Sequence, residues 1–99
     1  MITVTGEIDL ETAPTLRTAV TTAIDQTSGH ACVVDLTAVT FLGSAGLTAL
    51  VEAARISKSR HEPFRIVVDA NRMVITPIVV TGLDDELTLY HSIEEALTA

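Results

Sequence analysis

Two short, unbroken runs of apolar and β-branched residues constrain the fold of this chain most strongly. They are "ACVVDL" at 31–36 and "FRIVVD" at 64–69, and such runs are typical of strands covered on both faces of a sheet. Between them, four apolar residues recur at the spacing of one helix face: Leu47, Leu50, Val51 and Ala54. This period predicts a helix over 45–59. A strand, a helix and a second strand in this order predict parallel strands joined by a right-handed crossover.

The N-terminal segment adds one more strand and one more helix. Residues 2–8 alternate apolar with polar side chains, which predicts a strand with one wet face and with Gly6 at a bulge or a close backbone approach. Apolar residues at helical spacing then predict a helix over roughly 12–28, with Gly29 available to end it.

The C-terminal segment continues the alternation. Residues 71–82 predict a short helix disturbed by Pro77, followed by a brief strand "LTLY" at 87–90. Ser92 with Glu95 three residues later forms a capping box, which predicts a terminal helix. The predicted order is therefore β-α-β-α-β-α-β-α, an α/β fold with a largely parallel sheet.

The composition bounds the size of the molecule and its partners. Ninety-nine residues with 47% hydrophobic content predict one domain over 1–99. A net charge of −7, with only three aromatic residues, argues against nucleic-acid binding. No apolar stretch approaches membrane length and no basic leader precedes one, which predicts a cytoplasmic protein with no membrane partner. Cys32, the only cysteine, is predicted to be a small buried hydrophobe.

Four small residues interrupt the apolar pattern just before the helix at 45–59: Gly43, Ser44, Ala45 and Gly46. Ligands and chemistry in α/β sheets gather beyond the carboxyl ends of strands, where the next helix begins. This junction is therefore the candidate site, and three mechanisms could use its serine.

The sequence around Ser44 lacks residues that two of the three mechanisms require. A hydrolase elbow requires a glycine where Leu42 stands, together with a histidine base. The three histidines are predicted at helix–strand connections: His30, His61 and His91. A phosphate-binding loop requires a lysine directly after its last glycine, whereas the first basic residue after this loop is Arg55.

The third mechanism makes Ser44 a substrate. A phosphoserine at a helix N-terminus is solvated by unpaired backbone N–H groups and by the positive end of the helix dipole. The alternative is that Ser44 only caps the helix and that the glycines only fit a tight turn. The residues alone leave both readings open and favour the cap.

Three segments together resemble a known family over nearly the whole chain. They are "GEIDLETAPTLR" at 6–17, "VVDLTAVTFLGSAGLTALVEA" at 33–53 and "TGLDDELTLYHSIEEAL" at 81–97. They resemble anti-sigma factor antagonists of the STAS-domain family from bacterial partner-switching systems, especially actinobacterial members. The resemblance implies the STAS fold, a small mixed and largely parallel sheet with helices packed on it. Family members have one more strand before residue 2, so we expect a free strand edge, in a monomer or a weak homodimer.

The resemblance also implies partners and site residues. In the family, an anti-sigma factor that is also a serine kinase binds the antagonist, releases its sigma factor and phosphorylates a serine that aligns with Ser44. A PP2C-type phosphatase resets the serine, so the chain itself is expected to be no enzyme, with no cofactor and no metal. Such systems control transcription in stress responses. The implied partner-binding residues are Asp9, Gly43, Ser44, Ala45, Gly46, Leu47, Thr48 and Glu52.

Two positions depart from the family motif. Gly43 replaces the acidic residue before the acceptor, and Ala45 replaces a second serine, which leaves Ser44 as the acceptor. The rival interpretation is a STAS module without a switch, acting as a scaffold in a lipid-transport complex or a transporter.

Overall fold

A computed structural model describes residues 1–27 and 29–99. It consists of a four-stranded sheet in the order β1-β2-β3-β4, with all described strand pairs parallel, which confirms the predicted α/β alternation. The elements are β1 (Ile2–Ile8), α1 (Ala13–Gln26), β2 (Cys32–Leu42), α2 (Ser44–Ser59), β3 (Phe64–Val67), α3 (Arg72–Val80), a 3₁₀ turn (Leu83–Asp85), β4 (Thr88–Tyr90) and α4 (Ile93–Thr98).

Helices cover both faces of the sheet unequally. Helices α1, α2 and α3 share the larger core with Val34, Leu36 and Ile66. Because neighbouring residues of a strand point to opposite faces, Val33 and Val67 form a smaller cluster on the other side, against α4. Strands β2 and β3 are therefore covered on both faces, which explains their unbroken apolar runs. None of the helices in residues 1–27 and 29–99 has the length and apolar character needed to cross a membrane.

Strand β2 is longer than predicted. Two bulges break the alternation of its buried and exposed residues, so the sequence pattern does not reveal its second half. Its pairing with β1 shifts between Thr3 and Thr5 and again between Gly6 and Glu7, and each shift inserts an extra residue in β2. The predicted irregularity at Gly6 is confirmed, with φ at 80°. The prediction that this strand stops at residue 36 is wrong: it continues to Leu42, beside the end of β1.

Asn71 holds the first bulge in place. Its side-chain Nδ2 donates hydrogen bonds to the carbonyl oxygens of Leu36 at 2.9 Å and Val39 at 2.8 Å. Its Oδ1 accepts from the backbone N–H of Met73 at 3.1 Å and so caps α3. One amide side chain therefore joins the start of α3 to the bent middle of β2.

Several element boundaries differ from the predictions. Helix α1 begins one residue late and ends at Gln26, while the predicted end at residue 28 falls outside the described residues. Helix α3 runs through Pro77 and ends at Val80; Pro77 has no N–H, so the carbonyl of Met73 has no helical hydrogen bond from residue 77. Strands β3 and β4 are shorter than their apolar runs. Cys32 is buried as predicted, and burial raises the pKa of its thiol.

Candidate functional site

The ends of β1 and β2 bring two loops together at the carboxyl edge of the sheet. Ile8 pairs with Leu42 as the last residue of each strand. The backbone N–H of Gly43 then donates to the carbonyl of Ile8 at 2.9 Å. The turn after β1, which contains Asp9, therefore lies beside the N-terminus of α2, which contains Ser44.

Ser44 is the first residue of α2 and not its cap. The capping residue is Gly43, with extended backbone angles and no side-chain cap bond, so the interpretation of Ser44 as an N-cap is wrong. The Ser44 side chain is exposed, and within the described residues its Oγ forms no hydrogen bond. A free hydroxyl thus stands beside the uncapped N–H groups that begin every helix.

Gly43 and Gly46 at the junction are small for different physical reasons. A Cβ added to Gly46 would lie 2.5 Å from Cγ2 of Ile8 and 2.7 Å from Cδ1 of Leu42. Both neighbours are buried core residues at the ends of β1 and β2. A Cβ on Gly43 would lie 3.2 Å from the Phe41 ring edge and 3.4 Å from the carbonyl oxygen of Ile8, a looser fit than at Gly46. Gly46 therefore permits α2 to approach the sheet, while Gly43 leaves the approach to Ser44 open.

We expect Gly46→Ala to lower the free energy of unfolding by about 1–3 kcal/mol, because the new methyl group overlaps two buried side chains. Gly43→Ser is the matched control: serine is a preferred N-cap residue and should change stability by less than about 0.5 kcal/mol. Urea unfolding of both variants measures the difference. Equal stabilities would mean that the helix does not need this close approach.

Asp9 uses one carboxylate oxygen to fix the turn after β1. Its Oδ1 accepts from the backbone N–H groups of Glu11 and Thr12, both at 3.0 Å. Hydrogen bonds from the Thr12 backbone and hydroxyl hold the pKa of Asp9 below its ordinary value. The carboxylate is thus ionised and structural, and the residue that the turn presents outward is Leu10, with 82% of its surface exposed.

Two depressions flank the first turns of α2. The one between α1 and α2 is lined by Leu10, Ala13, Pro14, Arg17, Ala45 and Thr48. The one between α2 and the segment after α3 is lined chiefly by Ser44, Leu47, Val51, Arg55, Thr81 and Leu83. We call the turn after β1, Phe41 and the first turns of α2, with both depressions, the acceptor surface.

The structure sorts the predicted partner-binding residues by exposure. Ser44 and Thr48 are exposed on the acceptor surface, and Asp9, Gly43 and Ala45 are half-buried there. Glu52 is also exposed, in a salt bridge, whereas Gly46 and Leu47 are buried.

Glu52 forms an exposed salt bridge. Oε2 of Glu52 lies 3.0 Å from Nε of Arg17, so the pair links α2 to α1. Both side chains are about half exposed, and an ion pair of this kind contributes little to stability because water screens it. Because their opposite charges cancel, Arg17 and Glu52 add no net charge to the surface beside the first turns of α2.

The acceptor surface contains residues that sequence reasoning missed. Leu10 and the half-exposed ring of Phe41 lie on either side of the loop around Ser44. A signal for Leu10 was present, because it is a large apolar residue in a polar turn and fits neither the strand period before it nor the helix period after it. Phe41 carried no such signal, since the bulges of β2 decide which way it points.

The described histidines lie away from Ser44. The prediction that all histidines lie at helix–strand connections is wrong for His91, which follows β4 beyond a carboxyl end. Strand β3 lies between β4 and β2, and the end of β4 at Tyr90 is level with Asp35, well before the end of β2 at Leu42. His91 is therefore remote from Ser44. In the part of the chain that the structure describes, no group of His, Cys, Asp and Glu could hold a metal ion.

Known proteins share the sequence pattern of this chain. Residues 1–96 match the model of the STAS domain. The chain belongs to the STAS domain family. Anti-sigma-F factor antagonist RsfB of Mycobacterium tuberculosis is 37% identical to this STAS chain over 98 residues, which cover 99% of the chain and 78% of RsfB.

Solved structures agree with this assignment. The crystal structure of an anti-sigma factor antagonist from Mycobacterium paratuberculosis superposes with a TM-score of 0.86 at 37% identity, over 98% of this chain and 81% of that one. SpoIIAA in its unphosphorylated form shares the fold, with a TM-score of 0.73 at 19% identity over 96% of this chain and 82% of its own. The resemblance to STAS-domain anti-sigma factor antagonists is confirmed.

Proposed function

We propose that this STAS domain is an anti-sigma factor antagonist that binds an anti-sigma factor through the acceptor surface and is switched off by phosphorylation of Ser44. The names of its relatives support the antagonist role. The observation that carries the switch is the free, exposed hydroxyl of Ser44 on the first residue of α2.

The geometry supports Ser44 as the acceptor of a phosphoryl group. Gly43 and Ala45 leave little bulk on either side of the hydroxyl, so the active site of a kinase can reach it. The Ser44 oxygen attacks the γ-phosphorus of ATP, the bond to the bridging oxygen of ADP breaks, and the hydroxyl proton leaves to a base of the kinase. The product dianion lies at the N-terminus of α2, where it does not disturb the fold.

Phosphorylation changes the charge at the centre of the contact. The chain has a net charge of −7 and would gain about −2 more at Ser44. In the complex this charge faces the phosphates of the ADP that the kinase retains, and like charges in a partly dry interface repel strongly. The modified antagonist dissociates, and the anti-sigma factor binds its sigma factor again. A PP2C-type phosphatase restores the serine.

We assign Asp9 to this surface as the residue that fixes the turn after β1. One of its carboxylate oxygens accepts two backbone hydrogen bonds, and the bonds from Thr12 hold the pKa of the carboxyl below its ordinary value.

We expect the cognate anti-sigma factor and ATP to add one phosphate to the protein, at Ser44. Intact-mass and peptide analysis measures this. Ser44→Ala is the control and should stay unmodified, since Ala45 offers no second hydroxyl. Phosphate on the exposed Thr40 or Thr48 would contradict the assignment. Binding without any phosphate would favour a STAS module that acts without a switch.

A further inference from the structure

Leu10 is exposed to a degree that the fold does not require. With 82% of its surface accessible, it is the most exposed large apolar side chain among the described residues. A leucine in this position contributes nothing to the core. Single exposed leucines are common on protein surfaces, so the feature that distinguishes Leu10 is its place in the same depression as Ala45.

The turn that carries Leu10 is rigid. The Asp9 carbonyl accepts from the N–H of Ala13 at 2.9 Å, and the Asp9 N–H donates to the Thr12 hydroxyl at 2.8 Å. Two more hydrogen bonds reach Oδ1 of Asp9 from the backbone on the far side of Leu10. These bonds hold the leucine outward before any partner arrives, so little entropy is lost when it is covered.

Leu10 also lies next to the acceptor serine. It lines the same depression as Ala45, the residue after Ser44, and the depression has a volume of about 260 Å³. Ala13 and Pro14 supply further apolar lining. The leucine side chain thus forms one rim of a shallow, partly apolar hollow at the start of α2.

The size of a stable contact extends it from Ser44 to Leu10. A standard interface covers about 800 Å² on each partner, which corresponds to a disc with a radius of roughly 16 Å. A contact of this size centred on Ser44 also covers Leu10, because Leu10 shares a depression with Ala45. The partner of the proposed function is therefore the occupant that fits this depression.

We propose that Leu10 is an apolar anchor that inserts into a pocket of the anti-sigma factor, and that Asp9 acts on binding mainly as the positioning residue of Leu10. This proposal rests on the proposed function and adds the residue on which affinity depends. Burial of a leucine side chain in a pocket removes apolar surface from water, and this transfer favours binding.

The test compares two exposed leucines on opposite faces of the molecule. Leu10→Ala should weaken binding to the cognate anti-sigma factor at least tenfold in a calorimetric titration without ATP. Leu97→Ala is the matched control, because Leu97 is 61% exposed on α4, across the sheet from the acceptor surface, and should change the Kd less than twofold. Thermal unfolding should show all variants folded, since neither side chain is in the core.

A double-mutant cycle tests the positioning role. If Asp9 acts through Leu10, Asp9→Ala weakens binding strongly in the wild-type background and little in the Leu10→Ala background. Fully additive effects would overturn the positioning role. Wild-type affinity of Leu10→Ala would overturn the anchor and leave the proposed function intact, whereas a wild-type protein that does not bind the anti-sigma factor would overturn both.

Discussion

Ser44→Asp should weaken binding to the anti-sigma factor at least tenfold relative to Ser44→Ala, and phosphoserine should weaken it about a hundredfold. The aspartate places one negative charge, and the phosphate about two, where the structure has a neutral and exposed hydroxyl. Ser44→Ala removes only that hydroxyl, which bonds to nothing in the described part of the protein, so its affinity should stay near that of the wild type.

Stability separates this effect from unfolding. Because Ser44 is the first residue of α2, an aspartate there interacts favourably with the helix dipole and should raise the free energy of unfolding by about 0.3–1 kcal/mol. If Ser44→Asp is more stable than the wild type and yet binds more weakly, its loss of affinity arises at the binding surface and not from unfolding.

Ser59→Asp is the matched control for the charge. Ser59 is exposed at the other end of the same helix, about 22 Å from Ser44. The same charge there lies outside the expected contact and should leave the Kd within about twofold of the wild type. Equal affinities of Ser44→Asp and Ser44→Ala would contradict an electrostatic switch.

Asn71→Asp should lower the free energy of unfolding by about 2–4 kcal/mol, although the two side chains have nearly the same shape. Aspartate can still accept from the N–H of Met73 and cap α3. It cannot donate to the carbonyls of Leu36 and Val39, and its charge faces these two oxygens instead.

Ser92→Asp provides the comparison in urea unfolding. Ser92 caps α4 by accepting from the N–H of Glu95 at 3.0 Å and donates to no strand. Aspartate is an equally good cap, so this variant should remain within about 0.5 kcal/mol of the wild type. A small effect of Asn71→Asp would show that the bulge of β2 does not depend on the amide. A large effect would link α3 to the strand that ends at the acceptor surface.

The predictable part of the site came from local patterns. The small residues at 43–46 lie where a buried run changes to a helical period, and this change alone placed Ser44 at the start of a helix beyond a strand. Both periods arise from backbone geometry within a few residues, so they can be read from the sequence. Whether Ser44 caps the helix could not be read, because this depends on whether residue 43 or residue 44 has extended backbone angles.

Most of the unpredicted features depend on distant partners. The first bulge of β2 is held by Asn71, which lies 35 residues after the first carbonyl that it contacts. Gly46 must be small because of Ile8, which only the pairing of β1 with β2 brings beneath it. Leu10 became a candidate anchor only when hydrogen bonds within its turn were seen to hold it outward beside Ala45.

The sequence by itself determined the alternation of strands and helices and the position of Ser44 at a strand-to-helix junction, because hydrophobic period and glycine content act locally. Tertiary structure alone decided how long β2 is, which oxygen of Asp9 is occupied and which side chains surround Ser44. These properties depend on the meeting of segments that are far apart in the chain, and such contacts are specified by packing and hydrogen bonding between elements.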